Sequence, residues 1–343
     1  MVPAATRRIL LPLMLFLTLL TAAGRGWSWC SQAHEKVNAA AIERLPNGPL
    51  REFYRHQQSA VVGHSNDPDR WRELGVTGLG EPYEHFVNLD VLSQPPFTDI
   101  PTDWDQAVAK YGRERLQQAG TVPWTIERQT GRLVESFRRG DWPDVVLRSA
   151  WLGHYLADTS NPMHLTRNYK GQETGNIVLQ ERGPNQSVHQ RFEWGLVERF
   201  PAIIDFDDLS ARPPVAATGD ISTKVWSLVR ESYPAADTVM KADREAAAKD
   251  RTFSGTYYQE MYSLTGEIAR QRLERSVDAL AILWLTAWER AGRPTMPETV
   301  VSVVQAQPIA VHGILIPVGI VVVGIVLLPA AVWVIVRWRP QRH

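Results

Sequence analysis

Cys30 is the only cysteine of the chain, so no intramolecular disulfide can close and a cystine-stapled secreted scaffold is excluded. Surplus charge is equally lacking: 37 Lys and Arg cancel 37 Asp and Glu. Without a global field, polynucleotides or anionic lipid would have to be recognised locally rather than gathered unselectively. No stretch repeats at a period of roughly 20–50 residues, which leaves a solenoid unsupported, and sustained strand alternation is scarce. What is present is 343 residues with 44% hydrophobic content, enough for a sizeable core in one large domain or two ordinary ones.

The two ends carry targeting signals. Residues 1–28 have the layout of a signal peptide: Arg7 and Arg8, an apolar run from Ile9 to Leu20, then small residues. Cleavage after Ser28 exposes Trp29, and cleavage after Gly26 exposes Trp27. Gly313 to Val336 holds no charge and is long enough to cross a hydrocarbon core of about 30 Å, so 313–336 reads as a single-pass transmembrane helix. Arg337, Arg339 and Arg342 follow it, which puts 337–343 in the cytoplasm and the preceding domain on the extracytoplasmic side. The intervening 294–312, with three prolines, reads as a linker.

Between these ends the apolar spacing is helical. Ala39, Ile42 and Leu45 recur at threes, and Leu273, Val277, Leu280, Leu283 and Leu285 at mixed intervals. Pro123 opens a helix running to Arg139, Gly140 interrupts, and Pro143 starts the next. Glu173–Ser187, polar and broken by Gly175, Gly183 and Pro184, reads as a long loop. The expected fold is all-α, one multi-helix domain over 29–293.

The chemistry concentrates in His154-Tyr-Leu-Ala-Asp158, continuing to Pro162-Met163-His164. On a helix His154 and Asp158 share a face and can meet one cation, while Pro162 ends the helix and turns His164 toward a neighbouring position. His189 and Glu193 repeat the four-residue spacing. Upstream lie His34, His85 and the pair Asp67 and Asp69. Imidazole nitrogen and carboxylate oxygen are what zinc takes. Stacking these groups in one core without metal would be costly. His56 and His64 have no such neighbour in sequence and read as surface residues. Trp71, Tyr83 and Phe86 flank the motifs and are candidates to stack a base or cage a choline-like cation, against an ordinary core role.

This order of residues resembles the superfamily of zinc-dependent phospholipases C and zinc-dependent single-strand nucleases, over about Trp29 to Arg293. The resemblance implies a helical fold around a trinuclear zinc cluster, three Zn2+ ions in all. It implies that the mature terminal tryptophan binds zinc through its amino nitrogen and carbonyl, with Trp29 and His34 on one ion and Asp158 shared. Asp69, His85 and His154 would hold a second ion, with Asp69 preferred to Asp67 because it follows a proline. His164, His189 and Glu193 would hold a third. Asp69, Asp158 and Glu193 are then the candidate catalytic residues.

Zinc screens the charge of a phosphodiester and lowers the pKa of its water to about 7, so zinc-bound hydroxide is available at neutral pH. The expected activity is hydrolysis of a phosphoric ester. Glu193 in place of an aspartate resembles the phospholipase branch, and phospholipase C-like cleavage ranks first; the short spacing of Trp29 to His34 resembles the nuclease branch. A single-strand nuclease or 3'-nucleotidase is the second reading, and a non-catalytic, metal-stabilised surface binding domain the third. Expected partners are a phosphodiester substrate, phospholipid or single-stranded nucleic acid, and the membrane that anchors the chain. Oligomeric state and head-group preference have no signature in the sequence.

Overall fold

The computed structural model describes residues 29–74, 80–180, 183, 185–299, 302, 309–311 and 314–316. From Ser31 to Arg290 every regular element among the described residues is helical. The all-α expectation holds, and the reason is visible in the central helix, Trp142–Ser160. It is buried on all sides from Ser149 to Ser160, as befits a helix at the middle of a bundle rather than one floating on its surface. Around it pack the helices Val122–Arg139, Gly255–Arg290 and Ser31–Arg44.

Local signals set the boundaries. Gly140 adopts the left-handed conformation (φ 63°) that closes Val122–Arg139, and its N–H donates to the carbonyl of Phe137. The Asp141 carboxylate then accepts from the Asp144 N–H to cap the central helix, with Pro143 in its first turn. At the other end Asn161 stops the helix ahead of Pro162, and a short 3-10 turn, Pro162–His164, follows.

The long helix Gly255–Arg290 staples the bundle. Trp284 stacks on Tyr54 with centroids 4.2 Å apart and donates its indole N–H to the Ser149 carbonyl. Arg44 at the end of the first helix pairs with Asp278 at 2.7 Å. The region read as a long loop, Glu173–Ser187, contains no helix or strand among its described residues.

Beyond Arg290 the only described regular structure is an antiparallel pair, Ile309–Val311 with Ile314–Ile316. The second strand falls within 313–336, the stretch expected to be a transmembrane helix; these three β-branched and leucine positions are extended instead. The remainder of that stretch, the signal peptide 1–28 and the tail 337–343 lie outside the described residues. Among the described residues no helix is long and apolar enough to cross a membrane.

Candidate metal centre

The first helix and the central helix meet where Gly153 has no side chain: a Cβ there would lie 2.4 Å from Asn38 Nδ2. This close approach lets His34 stack on His154, ring centroids 4.0 Å apart at 16°. The short helix Asp67–Leu74 brings Asp69, the 3-10 turn Pro82–Glu84 delivers His85, and the turn after Pro162 delivers His164. His189 and Glu193 come from one turn of α-helix, Val188–Gln190, running into a π-helical segment, Arg191–Leu196. The spacing of four was read as plain α-helix; the actual turn is wider, a feature that often marks functional sites.

Three buried triads result, each with its donor atoms within 4.8 Å of one another: His34, His154 and Asp158; Asp69, His85 and His154; His164, His189 and Glu193. Asp158 is the hub. Its carboxylate lies 2.9 Å from His85 Nδ1, 3.3 Å from His154 Nε2, 3.8 Å from His34 Nε2 and 3.9 Å from His164 Nδ1. In the third triad Glu193 Oε2 lies 2.8 Å from His189 Nε2 and 3.1 Å from His164 Nε2.

The surroundings dictate which ring atoms face inward. His154 Nδ1 donates to the Ser65 carbonyl at 3.0 Å, and His164 Nδ1 to the His85 carbonyl at 2.8 Å. A carbonyl can only accept, so each ring carries a proton on Nδ1 and Nε2 is the atom left to ligate, the usual arrangement around a ligating histidine. Asn161 Nδ2 holds Glu193 Oε2 at 3.0 Å, and Arg72 holds Asp69 at 2.7 Å.

Electrostatics say the same. Burial alone would raise the Asp158 carboxyl, but the charges of His154 and His164 hold it well below the ordinary range. Asp69 stays low against burial because of Arg72, and Glu193 because of His189 and His164. Burial, then His154, pushes His34 down to about 3, and burial pushes His85 down to about 4. His164, against burial, is lifted to about 9 by Asp158 and Glu193. Three carboxylates thus remain ionised in one buried volume. Asp158 Oδ1 has no hydrogen-bond partner there, a costly condition for a buried polar atom. Mixed imidazole and carboxylate donors without thiolate suit zinc and its neighbours, so the residues fit divalent metal.

No family model and no curated protein matches the chain.

His154 Nε2 can serve one ion only, because its Nδ1 is committed to Ser65. Two of the triads share it, so whichever loses it needs another donor. Trp29 stands beside that place: it is buried, its indole N–H donates to the carbonyl of Ala157, the residue before Asp158, and it lines a cavity together with Asp69. Asp67 is buried but spoken for, paired with His64 Nδ1 at 2.7 Å, with Arg70 at 3.1 Å and with Trp151 Nε1 at 3.2 Å. The choice of Asp69 over Asp67 agrees with the triads, whereas His64, read as an unpaired surface residue, is half-buried and paired. His56 is exposed.

A second cavity, of about 200 Å³, opens on His85, His164 and His189. Of the three aromatics singled out in the sequence only Phe86 lines it; Trp71 is buried edge-on against Trp151. The reading of the residues missed Arg72, Asn88, Met163 and Tyr169, which also line it. Arg72, three positions after Asp69 on a helix, had a legible signal; Tyr169, on the long connection after His164, had none.

Proposed function

We propose that the protein is a zinc-dependent phosphoric ester hydrolase, with phospholipase C-like cleavage of a phosphodiester as the first reaction to test. The observation that carries this reading is the burial of three His, Asp and Glu triads against one another beside a cavity that also presents Arg72. The resemblance to zinc-dependent phospholipases C and single-strand nucleases supports it. When bound, divalent ions at these triads would offset phosphodiester charge and make water acidic enough to ionise near neutral pH.

The chain's own residues divide the remaining work. Arg72, anchored on Asp69, lines the cavity, where a guanidinium suits phosphoryl oxygens. Asp69, Asp158 and Glu193, kept ionised by their neighbours, hold the charge of the centre. Asn161 fixes the rotamer of Glu193. Phe86, Met163 and Tyr169 would pack on the body of the substrate and displace water. We further read the catalytic domain as extracytoplasmic and anchored, from Arg7 and Arg8 with Ile9–Leu20 at one end and Gly313–Val336 with its arginines at the other.

One observation favours the nuclease or 3'-nucleotidase reading as the alternative. The 200 Å³ cavity is lined by Phe86, Tyr169 and Asn88 together with Arg72, and by no carboxylate among the described residues. Such a lining suits a planar base next to a phosphate better than a cationic head group. The test is to incubate the full chain in mild detergent with zinc and either phosphatidylcholine vesicles, single-stranded DNA or a 3'-nucleotide, with and without chelator. Release of phosphocholine supports the first reading, and turnover of the nucleic substrates alone replaces it with the second. No chelator-sensitive hydrolysis of any of them leaves the metal-stabilised binding domain.

A further inference from the structure

Between His189 and Glu193, two of the three residues of the third triad, sits Arg191, one of the largest fully buried side chains among the described residues. A guanidinium in the core is expensive unless its donors are met, and here each of the three nitrogens has an acceptor. Nε donates to Asp243 Oδ1 at 2.7 Å and lies 3.1 Å from the Tyr257 hydroxyl. Nη2 donates to Asp243 Oδ2 and to the Ile177 carbonyl, both at 2.9 Å, and Nη1 to the Asn185 carbonyl at 2.8 Å. The cation also lies 4.2 Å from the centre of the Phe253 ring. Asp243 is completed by the Tyr257 hydroxyl at 2.5 Å and by Asn176 Nδ2 at 2.7 Å.

The partners define the geometry. Arg191 is two residues from His189 and two from Glu193, so it leaves the helix on the side opposite to theirs. Its contacts bind that back face at once to the helices Ala235–Lys249 and Gly255–Arg290 and to two carbonyls of the loop before Val188. A short helical segment with a π-type turn is free to roll about its own axis unless its far side is held. Rolling is the motion that would swing His189 and Glu193 away from His164.

We infer that Arg191 is a positioning residue for the third metal site: its buried clamp fixes the rotation of the Val188–Leu196 segment and so the convergence of His189 and Glu193. This rests on the metal-centre reading proposed above. Arg191 touches no ligand atom and acts through the backbone it immobilises.

The experiment is stepwise zinc titration of the metal-free full chain, read by native mass spectrometry and chelator competition, for the parent and for Arg191→Lys. Lysine keeps a charge for Asp243 and gives up the two loop carbonyls. The expected result is three ions in the parent and a 10–100-fold weaker constant for one of them in the variant, the same step that His189→Ala abolishes, with the other two unchanged. In the double variant Arg191→Lys, His189→Ala the arginine change should have no further effect. Parent protein binding no zinc would overturn the metal reading. Parent protein binding three ions, with Arg191→Lys weakening all of them equally or none, would overturn the clamp alone. Should Arg191→Lys fail to fold, Tyr257→Phe decides: it removes one bond from the clamp and is expected to weaken the same step by a smaller factor, and an unchanged step refutes the inference.

Discussion

Replacing Gly153 by alanine tests the junction on which the first triad depends. The added Cβ would sit 2.4 Å from Asn38 Nδ2, 2.6 Å from Oδ1 and 2.7 Å from Cγ, about 1 Å inside ordinary contact. There are two ways out. Asn38 can rotate away, giving up the bond from its Nδ2 to the His34 carbonyl at 3.0 Å in a fully buried place, at about 1–3 kcal/mol. Alternatively the two helices part, an overpacking strain that costs about 1–3 kcal/mol. Alanine's better helix propensity returns at most about 1 kcal/mol. A net loss of about 1–2 kcal/mol lowers Tm by roughly 2–8 °C for a domain of this size. The metal effect is sharper, because ligation tolerates only about 0.2 Å and His34 rides on the helix that moves. Differential scanning calorimetry and a zinc count should show a lower Tm and one ion fewer, and the companion change Asn38→Ala, which vacates the space, should recover part of both. An unchanged Tm with the full complement of zinc would refute the packing argument.

Two further outcomes follow from the centre. Asp158→Asn should empty two sites together, since its carboxylate faces His34 and His85 from one hub, whereas His189→Ala should empty one; equal metal content of the Asp158 variant and the parent removes the bridging role. For the metal-free protein, His164 is raised above the ordinary imidazole value of about 6.5, so its contribution to stability is complete below that pH and lost as pH rises through about 9. His34 and His85 are lowered to about 3 and 4 and are buried neutral, so they oppose folding as pH falls below about 6.5. These three groups place the stability maximum of the metal-free chain near pH 6.5, with zinc binding at pH 7.5 releasing a proton from His164. Denaturation monitored across pH, and calorimetric titration in buffers of different ionisation enthalpy, check both; zinc uptake at pH 7.5 without proton release would exclude the charged His164.

The helical class, the bounds of Val122–Arg139, the start of the central helix and the residues of the three triads were legible in the sequence. Gly140 and Pro143 mark a boundary by backbone preference alone, and the fours in His154–Asp158 and His189–Glu193 are one helical turn. What stayed hidden depends on long separations. Asp243 meets Arg191 from 52 positions away, and Tyr169 reaches its cavity through an irregular connection with no period to read. The His64–Asp67 pair was local yet overlooked, since in sequence Asp67 reads only as an alternative to Asp69 and His64 only as a surface residue; Trp151 donates to the Asp67 carboxylate and buries it.

The burial of the donors has a kinetic corollary. In the unfolded chain only two short-range pairs, His154 with Asp158 and His189 with Glu193, could grip an ion, and each would grip it weakly. Full coordination would come into being only when distant stretches have docked around the ions. At the first triad, whose three donors are wholly buried, exchange with solution would have to wait for the protein to breathe, so that the rate at which a chelator strips that ion would report on opening of the bundle more than on the strength of any one bond.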